Sequence, residues 1–289
     1  MDQLRIVVGF KVTPDYEALR PADWARAGDD AADGPEASPG GRPGGPETRF
    51  VRRILGVFDE AALELALRLR DARAERGLQT SLAAFSVAGR VADSFLKTLL
   101  ALGYERAARV EAGAALDFAP GATAALVAGG AQRLGGDVLL LGSRCGPGDS
   151  GVVPFLVAEA LGRPCLTQVT EIAPADRGRL RVTFAADAGP VRAIVSTPCV
   201  LAVGNAVVSM LRVPTLKDRL ATREQPVVAF SAADLGVDVT EELDREPAAL
   251  VGLETIDRGR AGVIVGGATP ADKARALYET HLRARLERL

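Results

Sequence analysis

Short apolar runs alternate along most of the chain with longer stretches whose apolar positions recur at helical spacing. Leu4 to Phe10 is the first run, rich in β-branched residues, and predicts a buried parallel strand. Pro14 ends regular pairing shortly after it. Phe58-Asp59-Glu60 then opens a helix. Leu63, Ala66 and Leu67 share one face of it, while Glu64, Arg68 and Arg70 lie outside that face. Acids in its first turn suit the helix dipole, and Gly77 stops it. Leu78 to Val87 predicts a strand, Val91 to Leu102 a helix, Ala107 to Glu111 a strand and Ala122 to Leu134 a helix. Asp137 to Leu141 follows as a strand, apolar throughout after its first residue and expected at the centre of the sheet.

This alternation is the signature of βαβ units in a doubly wound, mostly parallel α/β sheet. After Gly162 the pattern changes. Thr167 to Ile172, Leu180 to Ala185 and Val191 to Ser196 read as extended segments with no helix between them, a short antiparallel addition. Val200 to Val203 returns to a buried strand, Leu216 to Ala221 is helical, and Val227 to Phe230 is the last strand. Residues 238–262 read as polar and irregular. Thr269 (as N-cap), Pro270 and Asp272 then start a helix that runs to the end with Leu277, Leu282 and Leu286 among arginines. Residues 1–237 are thus expected to form the main domain, and 238–289 an extended arm and helix that docks on a partner or on the chain itself.

Composition changes this picture in one place. From Ala27 to Glu47, ten of 21 residues are Gly or Pro, and no aliphatic side chain exceeds Ala. Such a stretch buries too little to offset its ordering entropy, so a flexible surface insertion is expected. Elsewhere composition mainly excludes. The 289 residues carry 35 basic and 37 acidic side chains with 4% aromatics, which gives no basis for nucleic-acid binding. Cys145, Cys165 and Cys199 form no CxxC pair, which argues against a disulfide framework or zinc ribbon. One histidine, His281, leaves little for a triad or a His-based metal site. The start, MDQLRIVVGF, is not a secretory signal, and no run reaches the length of a membrane span, so a cytoplasmic protein is expected.

In an open α/β sheet, ligands bind beyond the carboxyl ends of the strands. Four segments are expected there: Gly9-Phe10-Lys11, Gly56-Val57-Phe58-Asp59, Ser86-Val87-Ala88-Gly89, and the loop from Gly142 to Gly151. That loop follows the most apolar strand, contains four glycines and leads into an apolar helix from Val152. Its backbone N–H groups, the helix N-terminus, the Ser150 hydroxyl and the Arg144 cation suit a phosphate, although the pattern is neither GxGxxG nor a Walker A motif. Lys11 is a further candidate for phosphate contact, or for an ion pair with Asp15.

The same residues resemble the β subunits of electron transfer flavoproteins over nearly the whole chain. The family's Lys-x-Val-Pro-Asp is similar to Lys11-Val-Thr-Pro14-Asp15, one residue longer here. Its Asn-Pro-(Tyr/Phe)-Asp-Glu helix start resembles Gly56-Val57-Phe58-Asp59-Glu60, continuing through Glu64, Ala66, Leu67 and Arg68. Its Asp-Leu-Val-Leu loop resembles Asp137 to Val152, and its late Pro-(Ser/Thr)-Leu segment resembles Pro214-Thr215-Leu216.

The resemblance implies an adenine nucleotide alpha hydrolase-like fold and an electron carrier rather than an enzyme. It implies an α subunit partner carrying FAD, dehydrogenases as donors, and AMP or a second FAD in this chain. By position it assigns to the nucleotide Gly9, Phe10, Gly56, Val57, Phe58, Asp59, Ser86, Val87, Gly142, Ser143, Arg144, Cys145, Gly148, Asp149, Ser150, Gly151, Val152 and Val153. It assigns partner docking to Leu216; if a flavin sits in this chain, Arg144 is the best-placed candidate for stabilising its reduced form, with a structural role as the alternative. Gly56, Pro147 and Val152 depart from the family pattern. Two alternatives stay open: an adenine-nucleotide hydrolase or adenylating enzyme, and a nucleotide-free scaffold.

Overall fold

The computed structural model describes residues 3–20, 23, 46, 48–146, 148, 150–176, 178–248, 259 and 262–288. Nearly all of the Gly/Pro-rich insertion, together with Trp24, Pro147 and Asp149, lies outside the described residues. The chain divides into two compact units, Met1–Leu253 and Glu254–Leu289.

The first unit is built on a nine-stranded sheet. Its strands are β1 (Leu4–Gly9), β4 (Thr80–Ser86), β5 (Arg106–Glu111), β6 (Val138–Gly142), β7 (Cys165–Pro174), β8 (Arg179–Ala186), β9 (Gly189–Ser196), β10 (Cys199–Val203) and β11 (Val228–Ser231). The spatial order is β11-β5-β4-β1-β6-β10-β7-β8-β9. Pairing is parallel from β11 to β7 and antiparallel for β7-β8 and β8-β9. The doubly wound α/β class and the antiparallel addition expected from the sequence are therefore present, with β6 at the centre of the order. A separate ribbon pairs β2 (Val12–Pro14) with β3 (Arg53–Leu55), and Pro14 is the last residue of its strand.

Helices cover both faces. Ile6 and Val8 of β1 point into one layer with Leu63 and Leu67 of α1 (Val57–Ala74) and Leu96 and Leu99 of α2 (Asp93–Ala101). Val7, between them, points into the other layer with α3 (Pro120–Leu134) and α4 (Val153–Leu161). This is the period-two alternation of a strand buried on both sides. Each fully buried leucine contributes about 1.5–3 kcal/mol, so α1 is fixed chiefly by its inner face. Gly135, at φ +71°, ends α3 as the glycine pattern predicts.

Two expectations change. Residues 239–244 are helical, not irregular: Asp238 caps α6 (Val239–Asp244), accepting from the Thr240 and Glu241 N–H groups. Val239 joins the core, and Glu246 accepts from the Ala122 N–H, so the main body continues past the boundary expected at residue 237. The mostly charged run Val-Thr-Glu-Glu-Leu-Asp-Arg hides Val239 and Leu243, the two apolar residues that dock this turn. The second unit contains α7 (Pro270–Leu277), started by a Thr269–Asp272 capping box as predicted, then a π-helical turn at Tyr278–Leu282 and α8 (Arg283–Leu286).

Candidate nucleotide site

Strand order reverses between β1 and β6: the chain progresses from β1 outward to β4 and β5, and from β6 outward to β10. A cleft of about 720 Å³ opens beyond the carboxyl ends of these strands, a size within the ordinary range for small-molecule sites.

Most of the residues expected to bind line this cleft. Gly9, Phe10, Asp59, Val87, Gly142, Ser143, Arg144, Cys145, Gly148, Ser150, Gly151 and Val153 all do. Gly56, Val57, Phe58, Ser86 and Val152 are not on its wall. Gly56 is the N-cap of α1 and packs behind Cys145 and Asp59, whereas Val57 and Val152 face solvent. Ser86 is buried and donates its hydroxyl to the Phe10 carbonyl at 2.7 Å, holding the turn after β1 from below. Asp149 lies outside the described residues.

The loop after β6 carries the polar features. Gly146, Gly148 and Gly151 have φ values of +68°, +76° and +66°, which strongly favour glycine. The Ser150 hydroxyl accepts from the Val152 N–H at 3.4 Å, beside the N-terminus of α4. The Ser143 main chain is held by β10, its N–H donating to the Val203 carbonyl at 2.8 Å. Its hydroxyl is buried on the cleft wall and has no hydrogen-bond partner among the described residues. Such an orphan costs about 1–3 kcal/mol unless something enters the cleft to satisfy it.

Three cations line the same cleft: Lys11, Arg53 and Arg144. Asp15 pairs with Arg52 at 3.1 Å, so the alternative Lys11–Asp15 ion pair is not formed. Arg144 is exposed and makes no ion pair with a described residue. Of the acids, Glu111 is engaged by Arg109 at 2.9 Å. Asp59 is buried at the third position of α1, and burial pushes its carboxyl up to about 7, against hydrogen bonds from Cys145, Lys11 and Gly142 that act the other way.

Sequence reasoning missed one wall, the segment from Ala112 to Pro120 after β5. The rule that named the other loops applies equally to this one. Phe118 carries it, a non-glycine at φ +63° whose ring lies 3.0 Å from where a Cβ on Gly148 would stand. No local pattern announces that strain.

Residues 50–235 match the electron transfer flavoprotein domain. The chain belongs to the electron transfer flavoprotein family. It is 28% identical over 285 residues to the Escherichia coli K12 protein named "Putative electron transfer flavoprotein subunit YgcR", covering 98% of this chain and 100% of that protein. It is also 28% identical over 209 residues to the electron transfer flavoprotein subunit beta of Syntrophomonas wolfei (72% and 79% coverage), and 26% over 199 residues to that of Mycobacterium leprae (65% and 70%). The chain is thus a β-subunit-like member of a flavin-linked family of electron carriers. Among the described residues, no helix is long and apolar enough to cross a membrane.

Proposed function

We propose that this chain is the β subunit of an electron transfer flavoprotein and holds an adenine nucleotide, AMP or a second FAD, in the cleft between β1 and β6. The observation that carries this reading is the buried Ser143 hydroxyl on the cleft wall, which has no hydrogen-bond partner among the described residues. A phosphate oxygen is a suitable acceptor for it. The glycine-rich turn and the N-terminus of α4 supply N–H groups beside it, and Lys11, Arg53 and Arg144 supply charge. A bound flavin would supply electron transfer, and AMP would supply structure alone. The protein's part is to fix the group and tune its surroundings.

Leu216 is proposed as the docking residue for dehydrogenases. It begins α5 (Leu216–Ala221), a helix set by a Thr215–Asp218 capping box, and is 72% exposed. The second unit, with Ile264, Leu282 and Leu286 exposed, is proposed to dock on an FAD-carrying α subunit.

The test is to co-express the chain with an α-type subunit, denature the purified complex and quantify nucleotides. Two FAD per heterodimer, or one FAD with one AMP, supports the reading and selects the ligand. One FAD and nothing else overturns it in favour of the scaffold reading.

A further inference from the structure

Asp59 is nearly fully buried, and its carboxylate is shared among three donors on two loops. Oδ1 accepts from the Gly142 N–H at 3.3 Å, at the end of β6. Oδ2 accepts from the Lys11 N–H at 3.4 Å, after β1. Cys145 Sγ and Asp59 Oδ2 stand side by side, 2.5 and 2.7 Å from where a Cβ on Gly56 would lie, which places the thiol to donate to the same carboxylate. One side chain thereby joins the N-terminus of α1 to both strands that flank the switch in strand order.

The space around it admits little else. A Cβ on Gly142 would stand 2.5 Å from Asp59 Oδ1, and one on Gly56 would stand 2.5 Å from Cys145 Sγ and 2.7 Å from Asp59 Oδ2. Both N–H contacts are long for their type, about 0.4 Å beyond the usual distance, so the thiol is not a redundant donor. It also has the most leverage. The main chain at Ser143 is tied to β10, whereas between Cys145 and Gly151 the described backbone bond is local, from the Ser150 N–H to the Gly148 carbonyl. The hold of Asp59 on Cys145 therefore sets where Arg144 and the glycine turn stand.

We propose that Asp59 and Cys145 form a latch that positions the phosphate-facing loop, and that neither needs to touch the nucleotide. The proposal rests on the nucleotide reading above. It gives Cys145 a role as a hydrogen-bond donor rather than as a reactive thiol, and it gives Gly56 the role of leaving room for the latch.

The test uses the heterodimer, stripped of the nucleotide of this chain and titrated at pH 8 with AMP and, separately, with FAD, in a calorimeter. Cys145→Ala removes the donor without adding bulk and is expected to weaken binding about tenfold, the loss of one hydrogen bond to a charged group. Cys145→Ser restores a donor and is expected to stay within about twofold of the wild type. Asp59→Asn turns an amide group toward N–H donors and is expected to lose at least as much as Cys145→Ala. Melting temperatures of the nucleotide-free variants separate a folding failure from a binding loss. Wild-type affinity in Cys145→Ala, or an equal loss in Cys145→Ser, overturns the latch while leaving the nucleotide reading intact. A wild-type protein that binds neither titrant overturns that reading and the latch with it.

Discussion

Arg212 closes on Glu64 across 148 positions of the chain. Its Nη2 lies 2.9 Å from Glu64 Oε1, its Nε 3.1 Å from Oε2, and its Nη1 2.8 Å from Asp71. Burial alone would push the Glu64 carboxyl up, but Arg212 and Arg68 outweigh it and hold the carboxyl below its usual range. The pair fixes the irregular segment before α5 without covering Val213, Leu216 and Leu220, which stay exposed. On the far side of α5, Lys97 donates to the Arg223 and Gln225 carbonyls. The apolar row is therefore held from both ends rather than packed away.

Breaking this pair should be costly. Arg212→Met leaves a buried carboxylate with Arg68 as its remaining cation, and a loss of about 2–4 kcal/mol is expected in urea unfolding. Because the folded carboxyl sits below its usual 4.5, the contribution is present above that pH and is lost as pH falls through the folded value. The gap between variant and wild type should close in acid. A gap that stayed constant with pH would mean that lost packing, not charge, explains it.

Ser143→Ala should have opposite effects on fold and ligand. Removing a buried hydroxyl that has no partner among the described residues is expected to raise the stability of the nucleotide-free chain by up to about 1 kcal/mol. Nucleotide binding should weaken about tenfold or more, because a charge-assisted bond is lost. Thermal melts with and without AMP measure both. A melting temperature raised equally in both conditions would count against the role of Ser143 in binding.

Asp59 predicts how stability varies with pH. Its folded carboxyl stands at about 7 against an ordinary 3.8, chiefly because it is buried, against hydrogen bonds from the Cys145 thiol and the Lys11 and Gly142 N–H groups and the Lys11 charge. A raised value means that its contribution is fully present below about pH 4 and is lost as pH rises through about 7. The gap corresponds to about 4 kcal/mol at most. Asp59→Asn stays neutral, so its stability relative to wild type should climb between about pH 4 and 7 in parallel denaturant titrations. A flat difference would show that the wild-type carboxyl does not titrate there.

Leu216→Ala should be silent in the isolated protein. The side chain is 72% exposed, so a stability change within about 0.5 kcal/mol is expected. On the docking reading, the rate at which a dehydrogenase reduces the heterodimer should become harder to saturate, with nucleotide content unchanged. An unaltered KM would remove Leu216 from the docking surface.

Much of the architecture was legible because it is written in local periods. Ile6, Val7 and Val8 are apolar without a break and β-branched, which in so short a run suits a strand buried on both faces. Thr269-Pro270-Ala-Asp272 carries its capping box within four residues. Most of the cleft was legible for a related reason, since loops after parallel strands must share one edge of the sheet. The segment after β5 falls under the same rule; the positive φ of Phe118 was not legible, because it depends on neighbours that are remote in sequence.

By itself, then, the sequence determined which segments are strands and helices, that they alternate into a doubly wound sheet, and that the glycine-rich loop after β6 belongs at its ligand edge. Only the tertiary structure decided what each charge is for. It sent Glu64 to Arg212 and not to its helix neighbour alone, paired Asp15 with Arg52 and not Lys11, and made Asp59 a shared acceptor on the cleft wall. Backbone periodicity repeats within a few residues and can be read locally. The partner of a buried charge is whichever opposite group the packed layers bring within about 3 Å, and no spacing along the chain encodes that.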